Sequence, residues 1–160
     1  MKKFILLLSI PFMAFAQPNV GDFVKYNVRI EVAGNQADQG SLEMKIVDKN
    51  QQGLFHVLTT TIFDQGGTQV EDEWAGADRF MSKEDVEQYL QICTQIGGTI
   101  ENIQVPAGSF ESCHYASSND QEDSEGWIAR VPLVGAAKFN SYKKAEDTKA
   151  YLELVNSSQF

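Results

Sequence analysis

The sequence predicts a mostly β domain of the α+β class, a curved antiparallel sheet of about 8–9 strands in meander order with one helix packed on its concave face. Three observations predict it. Val24, Tyr26, Val28, Ile30 and Val32 alternate with Lys25, Asn27, Arg29 and Glu31, the period of a half-buried strand. Short apolar or β-branched runs then recur along the chain, separated by Gly, Asn and Asp turns. The period changes once, after Ser82, to that of a helix.

Each element follows in order. The first alternation ends at Gly34-Asn35-Gln36-Ala37-Asp38, which is turn chemistry. Leu42, Met44 and Ile46 alternate with Ser41, Glu43 and Lys45 as a second strand, and the chain turns again over residues 48–53. Residues 54–63 are rich in β-branched and aromatic side chains and form a third strand; Gly66-Gly67 leads into a fourth over residues 68–74. Strands joined by turns this short pair as antiparallel neighbours, since parallel pairing needs a long crossover. Ser82-Lys83-Glu84-Asp85 resembles a capping box with Asp in the Glu/Gln position. Val86, Tyr89, Leu90 and Cys93 follow at helical spacing, so a helix of about ten residues ends before Gly97-Gly98. Strands return over residues 99–105, 109–116, 126–131, 136–142 and 148–155, with the polar, acidic stretch 117–126 expected as a solvated loop.

The N-terminus has the layout of a cleaved signal peptide. Lys2-Lys3 precede an uncharged run from Phe4 to Phe15, and Ala14-Phe15-Ala16 places small residues before a cut expected between Ala16 and Gln17. The run is shorter than the roughly 20 apolar residues a bilayer span needs, and no later segment supplies a transmembrane helix. Cleavage leaves a single domain over residues 17–160. It removes two of 13 basic residues and none of 22 acidic ones, so the mature charge is −11. Such a chain repels phosphate backbones, which argues against nucleic acid as a partner. The expected localisation is periplasmic or secreted.

Cys93 and Cys113 are the two cysteines. In an oxidising compartment they are expected to pair as a structural disulfide, the alternative being two buried free thiols. No Cys-x-x-Cys redox motif is present.

The stretch Val105-Pro106-Ala107-Gly108-Ser109-Phe110-Glu111-Ser112-Cys113 marks a tight turn between two strands. Pro106 cannot donate to a ladder and Gly108 accepts a positive φ, which directs Phe110 to the core. The stretch resembles a motif of uncharacterised exported bacterial β-domains, which read Val-Pro-Ala-Gly-Thr/Ser-Phe with a cysteine three residues after the Phe. Trp127-Ile128-Ala129, Val131-Pro132-Leu133-Val134 and Leu152-Glu153-Leu154 stand where that family carries an aromatic strand, a Gly-Leu-Val-Lys element and a last strand. The chain departs from it at Pro132 and Gly135, where the family shows Gly and Lys. The resemblance implies a curved sheet holding a helix, similar in fold to periplasmic lipoprotein carriers. It implies no activity.

Candidate sites are few. His56 and His114 lie in strand contexts without a nucleophile elbow. Asp120, Glu122, Asp123 and Glu125 could offer oxygens to calcium but do not follow the EF-hand spacing. Glu71-Asp72-Glu73 before Trp74 could imitate a sugar subsite, against the plainer reading of a polar hairpin edge. No catalytic, metal or cofactor site is expected. The function expected is a non-enzymatic exported binding or scaffolding domain. One form of it holds a hydrophobic small molecule between sheet and helix, against Tyr26, Phe55, Trp74, Phe80, Tyr89 and Trp127, although any of these could simply pack the core. The alternatives are an envelope or surface protein-interaction module and a cell-wall or glycan hydrolase.

Overall fold

The computed structural model describes residues 17–160. The expected leader and the features that make its cleavage site lie outside the described residues. Within them, nine strands and one α-helix follow the expected order: β1 (Phe23–Val32), β2 (Asn35–Lys49), β3 (Phe55–Phe63), β4 (Gly67–Ala75), α1 (Lys83–Ile92), β5 (Thr99–Val105), β6 (Gly108–Ser118), β7 (Glu122–Ala129), β8 (Ala136–Lys143) and β9 (Thr148–Ser157). All pairings are antiparallel, in the order β4-β3-β2-β1-β9-β8-β7-β6-β5. Two meanders, β1–β4 and β5–β9, are therefore joined edge to edge by the first and last strands, and β4 and β5 are left as the borders of an open sheet.

Local differences from expectation have identifiable causes. The first turn is tighter than 34–38, because Ala33 and Gly34 both take left-handed φ (50° and 76°) and Val32 pairs directly with Asn35. Two such residues match the twist of the flanking strands, and a register shift beside Ile30 absorbs Ala37. The stretch 117–126 is not a long solvated loop. β6 runs to Ser118 and β7 starts at Glu122, with Ser117 opposite Ser124 and Ser118 opposite Asp123. The Asn119 carboxamide oxygen accepts the Gln121 and Glu122 amides, both at 2.8 Å, and closes the turn. Its polar composition reflects a hairpin with neither face in the core.

The helix begins as its sequence dictates. Ser82 Oγ accepts the Asp85 amide at 3.1 Å, and the Asp85 carboxylate accepts the Ser82 amide at 2.9 Å, a complete capping box with Asp in place of Glu. Val86 and Cys93 are fully buried against Cys113 and Ile128, with Met81, Leu90, Tyr115 and Ala136 around them. Cys93 and Cys113 form a disulfide between the end of α1 and β6, with Cα atoms 5.6 Å apart. Gly98 lies so close that a Cβ there would stand 2.8 Å from both sulfurs. A salt link adds a second tie: Arg130 meets Glu87 of α1 through two hydrogen bonds, at 2.7 and 3.1 Å, and Glu111 of β6 at 3.2 Å.

The larger core gathers Val24, Tyr26, Ile46, Phe55, Val57 and Leu154 with the segments that return over them, including Phe80, Val131 and Leu133. Phe55 and Phe80 meet edge to face at 5.8 Å. The turn at Pro106-Ala107 swings back to β9, where the Ala107 amide donates to the Leu154 carbonyl at 3.0 Å. Phe110 packs against the core from there, as expected.

Candidate functional site

Strand parity divides the sheet into two faces. One row of opposed residues reads Phe63, Gly40, Val28, Leu152, Phe139, Gly126 and Tyr115 across seven strands. It shares its face with Cys113, and so with the helix. The neighbouring row, one residue along each strand, reads Ile62, Ser41, Asn27, Glu153, Lys138, Trp127 and His114. A third row on that second face carries Gln39, Arg29, Tyr151, Asn140 and Glu125. These polar rows face away from the helix because side chains alternate along a strand.

A groove of about 610 Å³ lies between them. Its walls come from β1 (Asn27, Val28, Arg29), β2 (Gln39, Gly40, Ser41), β3 (Ile62), β8 (Lys138, Asn140) and β9 (Tyr151, Glu153), with Asp64 just beyond β3. β2 and β3 approach closely here: a Cβ on Gly40 would overlap the Ile62 carbonyl. Glycine permits the close approach of β2 and β3 that shapes this wall.

The groove's charges are matched within it. The Arg29 guanidinium lies 4.3 Å over the Tyr151 ring and its Nε is 3.5 Å from Glu31. The Tyr151 hydroxyl donates to Glu31 at 3.0 Å. Burial, followed by this bond, raises the Tyr151 pKa above the usual phenol value, so the group is a hydrogen-bonding phenol at neutral pH. Lys138 Nζ is 3.1 Å from Glu153 and 5.2 Å from the centre of the Trp127 ring. The Asn140 amide donates to Glu125 at 3.2 Å and the Gln39 amide to Asp64 at 3.0 Å. Each cation has a carboxylate at hand, so the groove holds no free positive charge of the kind that captures phosphate. Amides, a phenol, paired ions and an aromatic face suit a ligand that is polar and uncharged.

The six aromatic positions expected to share a lining do not come together. Tyr26 is buried in the larger core, where its hydroxyl donates to the Ala136 carbonyl at 2.7 Å and burial raises its pKa far above the usual value. Phe55 and Phe80 pack in the same core. Tyr89 is on the exposed side of α1. Trp74 and Trp127 lie on the face away from the helix, each stacked on a cross-strand histidine: Trp74 on His56 at 4.7 Å and Trp127 on His114 at 4.5 Å. Each histidine also has an acidic neighbour, Asp72 at 2.6 Å from His56 and Glu101 at 3.8 Å from His114. The Trp127 indole donates to Glu101 at 2.5 Å. Between helix and sheet, the space expected for a hydrophobic ligand is occupied by the side chains around Val86 and the disulfide.

The other candidates separate in the same way. Asp72 shares the face of Trp74, while Glu71 and Glu73 point to the opposite side. Asp123 takes Lys144 at 2.8 Å and Ser118 at 2.5 Å, and these bonds hold its carboxyl below the usual range. No group of three or more His, Cys, Asp or Glu side chains among the described residues is placed to hold a metal ion. No helix among them is long and apolar enough to cross a membrane. Nothing local in the sequence marks the groove residues Arg29, Tyr151, Lys138 and Asn140 as a site.

No protein-family model and no curated protein matches the chain. Solved structures similar to it at low identity include the following three. A candidate lipoprotein from Parabacteroides distasonis is 12% identical over 90% of this chain and 98% of its own, with a TM-score of 0.44. A candidate exported protein with a YmcC-like fold from Bacteroides fragilis is 13% identical over 91% and 99%, with a TM-score of 0.43. MucB, solved in complex with MucA(peri), is 10% identical over 87% of this chain and 50% of its own, with a TM-score of 0.44.

Proposed function

We propose that the chain is an exported, non-enzymatic binding domain whose ligand, polar and uncharged, occupies the groove on the face away from the helix. The observation that carries the reading is the groove itself, about 610 Å³ of space walled by five strands, set against a filled space under the helix. Residues on paired strands hold a binding geometry better than residues on loops. The disulfide fits a life outside the cytoplasm. The groove's chemistry is that of recognition: donors and acceptors converge, and no nucleophile–base pair stands among the lining residues.

This reading replaces the hydrophobic carrier as the preferred one, because opening a cavity beside Val86 would strip a packed core of its contacts. The test is native mass spectrometry of the mature chain purified gently from cells that export it, beside the double variant Arg29→Ala/Lys138→Ala. A bound mass on the wild type that the variant lacks supports the groove. A bound mass that survives in the variant, or that proves to be a lipid, contradicts it.

A further inference from the structure

The border strand β4 has a neighbour on one side only, β3, and eight of its nine residues are exposed. Its free side is a row of backbone donors and acceptors with no strand to meet them, which is the template that an added strand uses. The side chains around it are asymmetric. On the face away from the helix, Val70 opposes Thr60 and Trp74 opposes His56, at 59 and 46% exposure, and Asp72 between them is held by His56 at 2.6 Å. Val70 and Trp74 are two exposed apolar side chains on that face of the strand. On the opposite face of the same strand, Glu71 and Glu73 project into solvent, with Arg79 against Glu73 alone.

A second copy of this chain paired over the whole strand meets like charge. Full antiparallel self-pairing is centred on Glu71 and sets Glu71 against Glu71, and parallel in-register pairing sets each acid against itself. Directly opposed like charges destabilise a strand pair. The same pattern favours a strand with cations on one face and apolar side chains on the other.

We propose that β4 is a docking edge for an extended basic segment of a partner protein, which adds as a tenth strand. Its cationic side chains would oppose Glu71 and Glu73, and its apolar ones would cover Val70 and Trp74. This site is separate from the groove and does not depend on it.

The test uses the full mature chain and three nine-residue peptides with blocked ends: one alternating Lys and Val, one of the same composition with all lysines first, and the alternating one N-methylated at every second residue. Binding is read by titration and located by hydrogen exchange. The alternating peptide is expected to bind and to slow exchange in residues 67–75. The reordered and N-methylated peptides are expected to bind at least about fivefold more weakly, since the first loses the two-faced pattern and the second its backbone donors. Glu71→Lys, at an exposed position, should weaken the alternating peptide by a similar factor. Equal binding of all three peptides would reduce the effect to net charge and overturn the proposal, as would no binding or protection centred on the groove.

Discussion

The two faces of this sheet are built from the same strands, one residue out of step, and they differ in chemistry. The row through Val28, Leu152 and Phe139 is apolar and continues beneath helix and returning loops, where Phe55, Ile46, Val24 and Leu154 are fully buried. The row through Asn27, Glu153 and Lys138 is polar and open, and its side chains engage one another in pairs. A strand can thus carry the core on one parity and an open polar groove on the other, and a change on one face leaves the other chemically intact.

The contrast predicts unequal responses to substitution. Phe55→Ala removes the centre of the packed face and should cost about 3–5 kcal/mol in denaturant unfolding. A smaller loss would show a looser core than the structure describes. Replacing both cysteines by serine opens a loop with a sequence separation of 20 and should cost about 3 kcal/mol. The loss should appear as earlier exchange in α1 and β6, with β1–β4 following only at global unfolding. On the open face, Arg29→Ala and Lys138→Ala should each change stability by less than about 0.5 kcal/mol, as exposed pairs do. A loss as large as that of Phe55→Ala would erase the distinction between the faces.

The tie between Arg130 and Glu87 separates the regions in another way. The Arg130 hydrogen bond, ahead of the opposing effect of desolvation, lowers the Glu87 pKa below the ordinary value. A carboxylate with a lowered folded-state pKa contributes stability at pH above its unfolded value, about 4.3 for Glu, and loses it as pH falls through the folded value. Asp123, lowered first by Lys144 and then by Ser118, behaves in the same sense. Acid should therefore loosen the attachment of α1 below about pH 4 while β1–β4 hold. Glu87→Gln should flatten the dependence of stability on pH in that window, and an unchanged slope would show the link to be idle.

Much of the fold can be read from local pattern. The alternation of β1, the Ser82–Asp85 cap and the turn before Gly108 are each written within a few residues, and the Cys93–Cys113 pair follows from the chain having two cysteines. The groove is not written so, because it depends on β1 meeting β9. That pairing sets Asn27 beside Glu153 and Arg29 beside Tyr151, residues more than a hundred positions apart. The alternation announces Asn27 and Arg29 only as solvent-facing, and nothing local to them names their neighbours. The aromatic residues misled for the opposite reason: size and hydrophobicity suggest a shared lining, but parity sends Trp74 and Trp127 to the outer face and Tyr26, Phe55 and Phe80 into the core. Tertiary pairing of strands distant in sequence decides the site.

The most direct test compares hydrogen exchange of the exported chain as isolated with the same chain unfolded, dialysed and refolded. A groove ligand predicts slower exchange before stripping in residues 27–31, 138–141 and 151–153, with 86–93 and 113–115 unchanged. Slower exchange confined to the helix and to the strands beneath it would contradict the account and return the ligand to the core face.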